Sequence, residues 1–472
     1  MRSPIRPGRP PSRRAILRWI VFGVCCGAIA ASADETALDR YVAKPDPNYA
    51  FTHHHTIQYP GVTSFLLRMT SQQWRSPAEV DRSIWEHDIR IAVPWGARFN
   101  QSRTAILLIE GGSNRDSLPM DPEPVLWLAA LVTGTPIVWL QQVPNQPLYF
   151  ADEVNHRRSE DAILAYSLDK FLVTGDGEWP VHVAMTKAAV RAMDTAQDFL
   201  DTKLLFIDDF IVMGGSKRGW TSMLTAAVDP RVRAVMAASI DVFNFDVQVR
   251  RHWESYGFYA PAIQDYTAFD LFCRADTPRG QDLLNIIDPY EYRERLTMPK
   301  LLLNSAGDQF FLPDSSRFYY HDLPGPKRMA YSFNTDHSQV SVSALFGALA
   351  YFKALINDVP RAPYAWVILP GGAIIVKTFE PAARVRVWQA TNPEARDFRL
   401  ESLGPAWRSQ TLEPIGDGLY LAYRPPPEKG WRAFCVELWF GPNTVGGYER
   451  YTTDVSIVPD VLPFAGEHCV DR

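Results

Sequence analysis

Apolar residues along this chain change period twice, and the changes divide it into three regions. In the first, apolar and polar positions alternate. Phe65, Leu67 and Met69 share one face of the segment Val62 to Thr70. Trp85, His87, Ile89, Ile91 and Val93 share a face of the next, against Glu86, Asp88 and Arg90. Period-two alternation predicts half-buried strands near the edge of a sheet. The second region carries short, continuous apolar runs instead, at Ala105 to Ile109, Pro136 to Leu140, Phe210 to Met213, Arg233 to Ala237, Lys300 to Leu303 and Met329 to Phe333. Such runs predict strands buried on both faces. Segments of helical period separate most of them, at Asp121 to Leu131, Val181 to Leu200 and Ser338 to Leu355. Alternating strands and helices predict a mostly parallel sheet covered on both sides. The count is eight strands. After about Asp358 short alternating segments return, among them Ile374 to Val376, Val385 to Val387, Tyr420 to Tyr423 and Phe434 to Phe440. Pro, Gly and Asn turns separate them, predicting a β-sandwich over 359–472.

Between the sixth and seventh strands lies a long insertion, 241–299, rich in Trp, Tyr, Phe, Asp and Arg. Loops at the carboxyl ends of parallel strands form the ligand crevice of such sheets, so an insertion there reads as a cap. The expected organisation is therefore an α/β domain over 34–358 with this cap, then the sandwich.

The first 33 residues read differently. Six arginines, Arg2, Arg6, Arg9, Arg13, Arg14 and Arg18, precede the apolar stretch Trp19 to Ala30 and the small-residue site Ala31-Ser-Ala33. This is the pattern of a cleaved secretory signal, and Arg13-Arg14 resembles a twin-arginine export signal. An uncleaved anchor is the rival, but the apolar stretch is short for a bilayer span. The expectation is export, to the periplasm or beyond, with no membrane span after cleavage. Cys25 and Cys26 would leave with the signal. Of Cys273, Cys435 and Cys469, the expected disulfide is Cys435 with Cys469.

Composition narrows the partners. With 46% apolar and 21% charged residues and a net charge of −5, the chain is ordinary globular protein with no bias toward nucleic acid. The run His53-His54-His55 invites a metal reading. Adjacent side chains on an extended segment point oppositely, so surface or loop histidines are the better reading.

The chemistry centres on Phe210-Ile-Val-Met-Gly-Gly-Ser216-Lys-Arg-Gly-Trp220. A buried strand stops at two glycines and a helical pattern starts at once, which predicts a tight turn holding Ser216 clear of the sheet. The usual pattern is Gly-x-Ser-x-Gly; here the last glycine, Gly219, comes one position late. A serine nucleophile needs a base and a group to orient that base. In sheets of this kind the order is Ser, acid, His. Asp308 falls in the Gly-Asp turn after the seventh strand and His337 just after the eighth. Asp241, after the sixth strand, is the competing acid. The oxyanion donors would be the backbone N–H of Lys217 and the loop at Gly111-Gly112. Lys217 and Arg218 oppose the positive end of the following helix. They call for a carboxylate partner or, failing that, an acidic substrate group at Arg218. Trp179 and the cap residues Trp253, Tyr256, Tyr259 and Tyr266 are candidates for the substrate-pocket wall.

Several of these stretches resemble one family. Gly214-Gly-Ser-Lys-Arg-Gly-Trp220, Val190-Arg-Ala-Met-Asp194, Asp288-Pro-Tyr290, Gly307-Asp-Gln-Phe-Phe311 with Pro313-Asp314, and Ile457-Val-Pro459 are similar to the PhoPQ-activated pathogenicity-related (PqaA-type) family. The resemblance runs from about Asp39 to Pro459. It implies a secreted α/β-hydrolase-like protein with no cofactor and no settled reaction. The functional expectation is an exported serine hydrolase acting on an ester or amide in a small molecule or peptide. The alternative is a secreted binding or signalling factor on the same scaffold.

Overall fold

The computed structural model describes residues 35–97, 102–119, 123–338, 341–442 and 447–469. The expected export signal at 1–33 lies outside them. Thr36–Arg472 form one compact unit.

The main sheet has nine strands: β1 Ala50–Tyr59, β2 Val62–Gln73, β3 Ile84–Pro94, β4 Thr104–Ile109, β5 Ile137–Leu140, β6 Asp209–Gly215, β7 Val232–Ala238, β8 Lys300–Ser305 and β9 Lys327–Ser332. Their spatial order is β1-β2-β3-β5-β4-β6-β7-β8-β9. From β5 to β9 every pairing is parallel, while β1, β2 and β3 join antiparallel. The eight expected strands are all present. The ninth, β1, carries the three histidines and is almost wholly exposed. It was illegible because an outermost strand buries little and so shows no apolar alternation. Ser216 consequently follows the sixth strand of the sheet. The His53 ring packs against Phe65 and Phe199.

Helices Val181–Asp201 and Lys217–Val228 cover one face of the sheet, and Pro124–Thr133 and Val342–Ile356 the other. The insertion between β7 and β8 contains helices Phe245–Tyr256 and Pro278–Ile287 with shorter turns between. No helix of the described residues is long and apolar enough to cross a membrane.

Beyond β9 the chain forms two antiparallel sheets. One holds Tyr364–Ile368, Ile374–Thr378 and Leu419–Ala422; the other is built around Trp431–Phe440. The second is tied firmly to what precedes it. Arg450 donates to Tyr331 O on β9 at 2.6 Å and pairs with Glu437 at 2.6 Å, and the buried pair Arg396–Asp314 spans 2.7 Å.

The expected pairing of Cys435 is corrected. Cys469 is bonded to Cys273 in the cap, with 5.7 Å between Cα atoms. Cys435 is a free, buried thiol in the middle of Trp431–Phe440. Its position inside a strand, facing the core, leaves the tail cysteine no approach to it.

Candidate active site

β6 ends in Gly214-Gly215, and the chain reverses into helix Lys217–Val228 through one residue. Ser216 sits there with φ 54° and ψ −132°, a conformation L-residues rarely adopt. Its N–H donates to Ala238 O on β7 at 2.7 Å, which pins the turn to the sheet. The glycines are required by the crossing of strand and helix. A Cβ on Gly214 would stand 2.5 Å from Arg218 O, and one on Gly219 would stand 3.0 Å from Gly214 O. This explains the displaced glycine. Position 218 can carry an arginine because residue 214 opposite it is glycine, a Cβ there standing 2.9 Å from the Arg218 Cβ, whereas a Cβ at 219 would meet Gly214 O and Ala238 O at 3.0 and 3.2 Å.

His337 and Asp308 reach this turn from the ends of β9 and β8. Ser216 Oγ lies 2.7 Å from His337 Nε2, and His337 Nδ1 lies 2.8 Å from Asp308 Oδ2. The second oxygen of Asp308 accepts the Phe310 N–H at 2.7 Å. His337 N–H donates to Gln309 Oε1 at 3.0 Å, and the Phe310 ring packs 4.2 Å from the imidazole. With a carboxylate on Nδ1, the imidazole is the tautomer whose Nε2 accepts from the serine hydroxyl.

Asp241 does not join this relay. It is buried and accepts hydrogen bonds from Asn304 at 2.8 Å, from Tyr331 at 3.3 Å and from Tyr319. Burial, opposed by the Tyr319 hydrogen bond and reinforced by the charge of Asp308, pushes its carboxyl up to about 7. Asp336 turns away to cap Ser338.

The two cations after Ser216 have dedicated partners. Arg218 grips Glu160 through both ends of its guanidinium, at 2.7 and 2.8 Å, and donates to Val143 O at 2.6 Å. Lys217 Nζ lies 2.9 Å from Glu160 and 3.0 Å from Asp161. Burial alone would raise the Glu160 carboxyl, but the Arg218 hydrogen bonds and the two cationic charges outweigh it and hold it at about 2. Arg218 is therefore spoken for, which corrects its assignment to substrate. Its guanidinium also fills the space beside Gly111, where a Cβ would come within 2.5 Å of Nη2.

The oxyanion candidates lie where the topology puts them. Lys217 opens its helix, so its N–H has no intrahelical acceptor. Parallel register pairs Ile109 with Gly214, which sets Glu110, Gly111 and Gly112 beside the Gly215–Ser216 turn. Gly112 has φ +123°, open to glycine and strained for other residues.

Beside Ser216 a cavity of about 60 Å³ opens under the cap, walled by Trp220, Val249, Ile263, Phe272 and Leu312 among others, with Lys217 and Asp161 also on its wall. Tyr266 lines it and donates to Asp161 at 2.7 Å. Trp179 and Tyr256 do not line it. Trp179 sits in an aromatic cluster with Trp74, Phe150 and Tyr166, under the Arg75 guanidinium. Tyr256 is buried between His252 and Arg399. Trp253 packs on Tyr259, whose hydroxyl meets His468 in the tail. Cap aromatics mostly hold the cap together, and sequence could not sort wall from filling. Glu160, Asp161 and Phe310 were missed, although the two unexplained cations signalled the need for the first pair.

An elbow serine, an imidazole and a carboxylate in hydrogen-bond sequence at the carboxyl ends of this strand order define a protein of the α/β-hydrolase class of fold. The chain belongs to the PhoPQ-activated pathogenicity-related protein family, which matches residues 38–399. Autocrine proliferation repressor protein A of Dictyostelium discoideum is 31% identical over 465 residues, covering 93% of each chain. Among solved structures, acetyl xylan esterase 1 from Thermoanaerobacterium sp. JW/SL YS485 superposes with a TM-score of 0.47 at 16% identity, over 68% of this chain and 92% of that one. A glucuronoyl esterase from Solibacter usitatus gives 0.39 at 11% identity, over 68% and 91%. Likenesses this distant carry no argument about chemistry.

Proposed function

We propose that the protein is an exported serine hydrolase that cleaves an ester or amide through a covalent acyl-enzyme. The observation that carries this reading is the 2.7 Å contact between Ser216 Oγ and His337 Nε2 at a strained elbow. In this account Ser216 attacks the carbonyl carbon while His337 takes its proton, and Asp308 stabilises the imidazolium. The Lys217 N–H and the Gly111-Gly112 loop hold the oxyanion of the tetrahedral intermediate. Collapse expels the leaving group, protonated by His337, and water then repeats the sequence on the acyl-enzyme. The chemistry needs no cofactor. Export rests on the arginine-rich, then apolar, segment at 1–33, with the mature chain beginning at Asp34.

A second reading has its own support. The relative at 31% identity carries the name of a proliferation repressor, so this chain could act as a secreted signalling factor on a hydrolase scaffold. Turnover of activated ester and anilide panels by the mature protein, compared with Ser216→Ala, decides between them. Hydrolysis lost in the variant supports the enzyme; no hydrolysis by either protein supports the factor.

A further inference from the structure

The cavity beside Ser216 carries a statement about substrate, and it rests on the hydrolase reading. Three features of it matter. It is small: about 60 Å³, well under the roughly 150 Å³ of a cavity that seats a benzene ring, so it admits only a few heavy atoms. Its wall is mostly apolar, with Val249 and Ile263 from the cap, Trp220 from the helix after Ser216 and Leu312 from the loop after Asp308, and with Gln248, His252 and Ser315 as the uncharged polar groups among them. The charges that touch it are already matched. Lys217 lies 3.0 Å from Asp161 and 2.9 Å from Glu160, and Tyr266 donates to Asp161. A charged group entering the cavity would break one of these pairs and lose its own hydration, both costly in a buried place. An aliphatic group loses neither.

We propose that one arm of the scissile ester or amide is a short, uncharged aliphatic group of about two to four carbons, seated in this cavity. The cap helix Phe245–Tyr256 and the turn at Pro261–Ile263 form its cap side through Phe245, Val249 and Ile263, so the cap sets the room for the chain.

The test uses two series with the mature protein and Ser216→Ala. One varies the acyl group of p-nitrophenyl esters through acetate, butyrate, octanoate and laurate. The other varies the alcohol of acetate esters over the same lengths. In one series kcat/KM should rise by roughly fourfold per methylene while the chain fits. It should then fall by about tenfold or more between butyl and octyl lengths. Replacing the short arm by succinyl or glycyl should also cost about tenfold or more. Ile263→Ala should move the break toward longer chains, with a melting curve to establish that it folds; Val249→Ala serves the same purpose if it does not. Flat or rising activity through octyl length in both series overturns the proposal, as does a preference for the charged arms. Hydrolysis that survives in Ser216→Ala, or is absent throughout, overturns the hydrolase reading itself and this inference with it.

Discussion

Glu160 and Ser216 share one unusual backbone conformation, φ 53° and ψ −128° for the first and φ 54° and ψ −132° for the second. Each stands immediately before a helix, and the carboxylate of Glu160 holds both cations that follow Ser216. Two strained turns are thus tied together by one ionic cluster. The strain at Ser216 persists because Arg218 and Lys217 are fixed from outside the elbow.

Glu160→Gln should loosen this arrangement. It leaves Lys217 paired with Asp161 alone and Arg218 with no ion-paired carboxylate among the described residues, only the more distant charge of Glu110. Removing one partner of a buried pair costs about 3–5 kcal/mol, and partial exposure of Glu160 discounts that to about 1–3 kcal/mol. Urea unfolding should show the lower midpoint, with kcat reduced further than KM is raised because the elbow is displaced.

Asp308→Asn tests the third member of the relay without changing its shape. An amide in that place favours the wrong imidazole tautomer, so kcat should fall by about 10³–10⁴-fold with the melting temperature nearly unchanged. Asp241→Asn, by contrast, should leave kcat within about tenfold, because Asp241 is held by Asn304, Tyr319 and Tyr331 and not by His337.

Acid stability should depend on His182. Both its ring nitrogens are buried without a hydrogen-bond partner among the described residues, its ring lies 4.2 Å from that of Trp220, and burial pushes its pKa down to about 3. In the unfolded chain the group titrates near about 6.5. Below that value the unfolded state takes up a proton that the folded state refuses, so stability falls as pH drops from about 6.5 toward 3. His87 and His252, lowered to about 4 and about 3 by burial, act in the same sense. Asp241 and Asp288, both raised to about 7, pull the other way. The difference between wild type and His182→Leu isolates one group. Urea unfolding across this range should show the variant's acid-side slope shallower by up to about 1.4 kcal/mol per pH unit.

The Cys273–Cys469 bond closes a separation of 196 residues and fastens the tail to the cap. Cys469→Ser should lower stability by about 2–5 kcal/mol, and reduction of the wild type should do the same. Peptide mapping without reductant should recover the 273–469 pair and leave Cys435 reactive only after unfolding.

Much of this was legible in the sequence for physical reasons. The buried strands announce themselves because they are apolar on both faces. Ser216, Asp308 and His337 could be named because each follows such a strand. What escaped notice lacks a periodic signature. β1 is polar because it lies at the rim. Glu160 and Asp161 sit in a connection whose path depends on the rest of the fold. Tyr256 differs from Tyr266 only in which way the cap turns it, and Trp179 lies outside the cap, in the connection before helix Val181–Asp201. The pairing of Cys469 was misread for the same reason, since nothing local brings residue 273 to the tail.

The most direct test is to locate a covalent adduct. The mature protein is incubated with a fluorophosphonate, digested, and the peptides weighed. The account predicts stoichiometric modification of the peptide containing Ser216, absent in Ser216→Ala and slowed by about 10³-fold or more in His337→Ala. An unmodified Ser216, or equal labelling of wild type and Ser216→Ala, would contradict it.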